Sequence, residues 1–247
     1  MPQEYIIAAD LGQVNDPTAI CVLERRVPNT ELFAEPEAAH AHVIHLERID
    51  LGTAYTAIPP RIRAIEEQIR GIWWKGVRED ALARDGFIPG GMTAHDAPIE
   101  LVLDQTGAGR PVVDLFREAG LDPLAVTITG GDTVSWPDRR EVRVPKRVLV
   151  STVQAALQAG RVTAASGLRE WPTLRTELRN FRAKISLAGH VSFAAGESEE
   201  WRQGTNDDLV LALALGLWAG EYARSRVKPL GAGILAAYGY LDDIDRE

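Results

Sequence analysis

The chain has 247 residues, 45% of them hydrophobic, and a formal net charge of −8, which predicts one globular domain with a sizeable core. No apolar run approaches the roughly 18 residues of a membrane span, and the first residues do not predict a secretory signal. The only cysteine, Cys21, excludes an internal disulfide and a cysteine-rich zinc site, so we expect a protein of a reducing cytoplasm.

Three strands with short links are predicted in the first fifty residues, at Glu4–Asp10, Thr18–Glu24 and Ala41–Ile49. Successive strands joined in this way form an antiparallel meander. Isoleucines then recur every three or four residues, which predicts one face of a helix. They are Ile58, Ile62, Ile65, Ile69 and Ile72. A charged, glycine-containing loop is expected from Lys75 to Pro98.

The second half of the chain alternates strands with helices. Strands are predicted at 99–104 and 124–129, and helices begin near Pro111 and Pro145 and end at Gly120 and Gly160. A helix over 171–181, a hairpin turning at Ala188–Gly189 and a helix over 206–224 follow. This order predicts an α/β domain over residues 1–226, with a mixed sheet flanked by helices, and a C-terminal tail at 227–247.

Acidic residues end two predicted strands and begin the last helix. Asp10 and Asp104 each follow an apolar run, and their carboxylates lie side by side if the two strands are parallel neighbours. Asp207 and Asp208, hereafter the acid pair, open the last helix. A solvated strand end or helix capping explains each acid singly. Together they favour an oxygen-rich site for Mg²⁺ or Mn²⁺, and two such ions about 3.5–4 Å apart would support phosphodiester hydrolysis.

Three segments resemble, in order and spacing, the nuclease domain of phage large terminase subunits. They are "AADLGQVNDPTAICVLE", "LVLDQTGAGRPVVDLF" and "GTNDDLVLALALGLW". The resemblance covers about residues 5 to 222 and implies a ribonuclease H-like fold, related to that of Holliday-junction resolvases. It also implies that Asp10, Asp104 and Asp207 are metal-binding catalytic acids, with Asp208 as an adjacent fourth ligand. Which member of the acid pair lies closer to the metals stays open.

The resemblance also predicts the setting in which the protein acts. The family's domain cuts double-stranded DNA during genome packaging, which implies DNA, other terminase components or the portal as partners in the bacterial cytoplasm. This chain lacks the GxxxxGK[ST] motif of the family's ATPase motor, so we expect no bound nucleotide and an excised or separately encoded nuclease domain.

Two other functions remain open from the sequence. "ADLG" after a first strand also suits the phosphate-contacting loop of a sugar-kinase or actin-like phosphotransferase, and the chain would also serve as a packaging module that no longer cuts DNA. Asp16, in "NDPTA", is interpreted as a turn residue rather than a catalytic acid.

Positive charge is concentrated in one stretch of this acidic chain. Eleven Lys or Arg and three acids lie between Arg139 and Lys184, which predicts either a basic face or arginines scattered over solvated helices. The segment "DRREVRVPKR" is expected to contact DNA phosphates without reading sequence. Its basic residues are Arg139, Arg140, Arg143, Lys146 and Arg147.

Overall fold

A computed structural model describes residues 3–12, 16–26, 39–84, 88, 91–188 and 207–223. Its strands are β1 (Gln3–Asp10), β2 (Thr18–Arg26), β3 (His40–Ile49), β4 (Ile99–Asp104), β5 (Leu124–Thr129), β6 (Ser135–Asp138), β7 (Glu141–Pro145) and β8 (Val162–Ala164). Its helices are α1 (Ile58–Arg84), α2 (Arg110–Glu118), α3 (Lys146–Gln158), α4 (Trp171–Ala188) and α5 (Asp208–Trp218), with a π-helical turn at Ala219–Ala223.

The described strands form one mixed sheet in the order β6-β7-β5-β4-β1-β2-β3-β8. β1, β2 and β3 make an antiparallel meander. β4 then pairs with β1 in parallel, and β5 and β7 continue the parallel half of the sheet. The predicted architecture, a mixed sheet flanked by helices with three antiparallel strands followed by parallel ones, is confirmed.

Alternating side chains divide the core into two layers, one on each face of the sheet. In β1, Ile6 and Ala8 pack on one face against α3, α4 and α5. Four isoleucines of α1, namely Ile58, Ile62, Ile65 and Ile69, cover the other face together with α2. Ile72, predicted on the same helical face, is exposed instead. Helix α5 is buried along most of its length because it is apolar on nearly all sides. We call its side of the sheet the α5 face.

Two predicted boundaries are wrong. Helix α1 continues to Arg84 through the segment that was predicted as a loop from Lys75. Good helix formers fill this stretch, and Lys75 and Glu79 lie one helical turn apart at 3.8 Å. Helix α4 continues through Ala188, where the sequence predicted a hairpin, while the rest of that hairpin lies outside the described residues.

The sequence also missed the hairpin of β6 and β7, whose turn contains Arg139 and Arg140, and the short strand β8, which pairs with β3. The predicted tail at 227–247 lies outside the described residues. Among the helices that the structure describes, none has the length and apolar character needed to cross a membrane.

Candidate functional site

Asp10 and Asp104 lie side by side at the ends of two neighbouring strands. β1 and β4 run parallel, and the two residues are partners in their register. Since side chains alternate along a strand, both share the α5 face with Ala8 and Val102. Asp104 is buried, and its Oδ1 accepts a 2.7 Å hydrogen bond from the Thr106 N–H. The arrangement on which the predicted metal site depends is present, and the role of these acids as ligands stays a prediction.

Helix α5 brings the acid pair to this same end of the sheet. A side chain added at Gly220 would meet Arg25, near the start of β1, and one at Gly216 would meet Ala8. The N-terminus of α5 therefore lies nearer to the Asp10 end of β1 than its C-terminus does. Both members of the acid pair are buried. Asp207 is the N-cap residue, but within the described part of the chain its side chain makes no capping hydrogen bond.

Arg48 connects the acid pair to the row of residues that contains Asp10. Asp10 pairs with Ala19, and Ala19 pairs with Arg48, so the row runs from Asp104 across β1 and β2 to β3. Arg48 Nη2 donates to Asp208 Oδ2 and to Glu177 Oε1, both at 2.9 Å. Glu177, on α4, also accepts a 3.1 Å hydrogen bond from the Val210 N–H in the first turn of α5. Neither Arg48 nor Glu177 was predicted from the sequence to belong to the site.

Burial and neighbouring charges raise the pKa values of two acids at this end. Burial raises the pKa of Glu177 to about 7, Arg48 opposes this, and the charges of the acid pair raise it further. Burial likewise raises the pKa of Asp208 to about 6, again opposed by Arg48 and supported by the charges of Asp16 and Asp207. These carboxylates therefore repel each other, and a bound cation would relieve that repulsion.

A tight turn after β1 brings Asp16 near the acids. Gly12 packs so closely on the chain that an added Cβ would lie 2.0 Å from the Asp16 carbonyl oxygen. The Gly12 N–H donates to Thr18 Oγ1 at 3.1 Å, and the Tyr55 hydroxyl donates to the Gly12 carbonyl at 2.8 Å. Asp16 is a turn residue, as predicted, and it is also close enough for its charge to raise the pKa of Asp208.

Carboxylate oxygens are the ligands that a hard divalent cation prefers, so the acids at this end fit such an ion in their chemistry. They fall into two groups, Asp10 with Asp104 and Asp207 with Asp208. Within the described ranges, no three His, Cys, Asp or Glu side chains converge closely enough to hold an ion as they stand.

The five basic residues predicted to bind DNA lie in different places. Arg140 forms ion pairs with Glu100 at 2.8 Å and with Asp122 at 3.3 Å. It therefore joins the turn before β7 to β4 and to the loop before β5. Arg139 precedes the start of β7, and Arg143 points away from the α5 face, since its neighbours in β7 are the ones that pack there.

Two of the five, Lys146 and Arg147, directly follow the C-terminal end of β7. Val142 lies in the same row as Asp104 through Val126, and β7 runs parallel to β1, so Lys146 and Arg147 lie beyond the acid end. Arg147 is half exposed, and its described partner is the exposed Asp132 at 3.2 Å.

Comparison with known proteins finds no matching family model and no matching curated protein. Two solved structures are similar. The large terminase nuclease from thermophilic phage G20c is 16% identical with a TM-score of 0.45, over 89% of this chain and 83% of that one. Thermus thermophilus RuvC is 15% identical with a TM-score of 0.32, over 92% of this chain and 99% of that one. The function proposed for this chain rests on its own side chains.

Proposed function

We propose that this chain is a divalent-metal-dependent endonuclease that hydrolyses the phosphodiester bonds of double-stranded DNA. The observation that carries the proposal is the in-register pair Asp10 and Asp104, at the end of the sheet to which α5 brings the acid pair. Two neighbouring carboxylates at the end of a sheet repel each other, and a bound cation would relieve that repulsion. The pair therefore suits a metal site better than it suits the stability of the fold.

Asp10, Asp104 and one or both members of the acid pair would hold Mg²⁺ or Mn²⁺. When bound, the metal supplies activation of water and stabilisation of the leaving oxygen at a phosphodiester. The residues of the chain position the ligands. The Thr106 N–H fixes Asp104 Oδ1, so that the carboxylate keeps one orientation, and the sheet fixes its distance from Asp10.

DNA would be held by basic side chains on the same side as the acids. Lys146 and Arg147 begin α3 just beyond the acid end. The exposed ion pair of Arg147 with Asp132 contributes little to stability, so a phosphate can replace Asp132 at small cost. Contacts of this kind bind the backbone without reading sequence. The sequence resemblance supports a role in genome packaging, with terminase or portal components as partners and no nucleotide.

The test is cleavage of supercoiled plasmid by the purified protein in EDTA, Mg²⁺ or Mn²⁺. We expect nicking and linearisation only with metal. Asp104→Asn should reduce the rate at least about 100-fold, because a metal site contributes several kcal/mol to the transition state. Asp138→Asn is the matched control, since Asp138 also ends a strand but lies away from the acids, and it should cut like the parent.

Unchanged cutting by folded Asp104→Asn would contradict the assigned site. A folded parent protein that cuts in neither metal would contradict the nuclease proposal and favour a packaging module that no longer cleaves.

A further inference from the structure

We propose that Arg48 is a positioning residue of this metal site. In this proposal, Arg48 holds Asp208 and the first turn of α5 in place against the row of Asp10 and Asp104, and the affinity for metal depends on it. The inference rests on the proposed function, because it concerns how the same acids are arranged to receive the ion.

The first observation is that one nitrogen atom joins three separate elements. Nη2 of Arg48, on β3, lies 2.9 Å from Glu177 of α4 and 2.9 Å from Asp208 of α5. The two acceptor side chains are 6% and 8% exposed, so water competes little for these bonds. Charge-assisted hydrogen bonds in such surroundings are stronger and more directional than exposed ones.

The second observation is that Glu177 passes this restraint on to the helix backbone. Its Oε1 accepts from Arg48 and its Oε2 accepts from the Val210 N–H. Arg48 thus holds the first turn of α5 in two ways, directly through its hydrogen bond to Asp208 and indirectly through Glu177.

The third observation is the place of Arg48 in the sheet. Arg48, Ala19 and Asp10 are successive partners in one row, and all three face α5. With strands about 4.8 Å apart, the backbone of Arg48 lies about 10 Å from that of Asp10. The one residue between them in the row, Ala19, is small and buried in the core. Arg48 can therefore set how far the acid pair stands from Asp10.

The fourth observation concerns charge. Glu177 and Asp208 both bond the same guanidinium group at the first turn of α5, so these like charges would repel each other and separate if that cation were removed. An acid pair displaced from the row would no longer complete the site begun by Asp10 and Asp104. Loss of Arg48 should therefore weaken metal binding, although it removes a positive charge from the neighbourhood of the ion.

The experiment measures Mn²⁺ affinity by titration, followed by electron paramagnetic resonance of the free ion, below the unfolding temperature of each variant. We expect Arg48→Met to weaken Mn²⁺ binding about 10–100-fold, as the loss of residues that orient metal ligands does. Arg48→Lys should recover part of the affinity, because it keeps the charge with a shorter reach. Arg25→Met is the control: it breaks a buried ion pair with Glu4 at the far end of the same face and should bind Mn²⁺ within about twofold of the parent.

Parent-like or tighter Mn²⁺ binding by folded Arg48→Met overturns the inference, and so does equal weakening in Arg25→Met. If Arg48→Met does not fold, Arg48→Lys and Glu177→Gln decide: parent-like affinity in both overturns it, and weaker binding in both supports it. A parent protein that cuts plasmid, beside an Arg48→Met variant with normal Mn²⁺ affinity, leaves the nuclease standing and removes only the role of Arg48. A parent that binds no Mn²⁺ removes both.

Discussion

The two ends of the α5 face each hold an arginine paired with acids, and they differ in how that arginine is bonded. At the far end Arg25 pairs with Glu4 at 3.2 Å, and both side chains are at most 10% exposed. The ion pair joins β1 to β2, two strands that are already paired in the sheet. An ion pair of this kind stabilises the local arrangement of the fold.

At the acid end one arginine serves several carboxylates. Arg48 bonds Glu177 and Asp208, while Asp10 and Asp104 lie in the same row of the sheet. Burying neighbouring carboxylates lowers the stability of a fold. An arginine paired with one acid is therefore not by itself evidence of a functional site, whereas a group of carboxylates around an arginine is.

Removing the balanced pair should have the largest effect on stability. Arg25→Met leaves Glu4 buried without its cation, and breaking a buried pair in this way costs about 3 kcal/mol. Urea unfolding followed by circular dichroism should show this loss. Plasmid cleavage by the protein that remains folded should be unchanged. Impaired cleavage below the unfolding transition would mean that the two ends are not separate in function.

Adding metal should stabilise the unbalanced end. Mn²⁺ at 100 times its dissociation constant adds about 2.7 kcal/mol to the free energy of unfolding. For a domain of this size, that amounts to a rise of about 5–10 °C in the unfolding temperature. Differential scanning calorimetry should show the rise in the parent and lose it in Asp10→Asn/Asp104→Asn. A rise of equal size in the double variant would place the ion elsewhere.

The raised pKa of Glu177 should also make the stability of the protein depend on pH in a metal-free buffer. The pKa of Glu177 is raised to about 7, so its contribution to stability is fully present below about pH 4.5 and is lost as the pH rises to 7. Glu177→Gln cannot ionise and escapes this loss. The free energy of unfolding of the variant, relative to the parent, should therefore increase between pH 4.5 and 7 and level off above. A constant difference across that range would show that burial of Glu177 costs nothing.

The smallest expected effect concerns DNA binding. Lys146→Gln/Arg147→Gln should lower the affinity for DNA about tenfold and reduce the slope of log affinity against log salt by about 2, alike for all sequences. Arg139→Gln/Arg140→Gln changes charge equally at the other end of β7 and should alter the slope by less than half as much. Fluorescence anisotropy with duplexes of unrelated sequence measures both. Equal slopes for the two double variants would argue against an oriented basic surface.

The sequence predicted what depends on local pattern. Apolar runs ending in Asp10 and Asp104 defined β1 and β4, whereas their pairing as parallel neighbours was a condition that only the structure could meet. The near-uniform apolar character of α5 predicted its burial, which brings the acid pair to the sheet.

Contacts between distant parts of the chain could not be predicted in this way. Arg48 lies 129 residues from Glu177 and 160 from Asp208, and it occupies an ordinary charged position near the end of a strand. No spacing rule connects the three. Arg140 shows the same limit, since its sequence context did not predict its ion pairs with Glu100 and Asp122.

The register of β1 and β4 has a consequence for how such a protein can change over time. Backbone hydrogen bonds between β1 and β4 set the separation of Asp10 from Asp104. Every residue type can make these bonds, except that proline lacks the N–H donor. Neighbouring side chains are free to vary as long as the two strands still pair. A lineage can therefore replace most of its sequence and pass on the spacing of these two carboxylates intact.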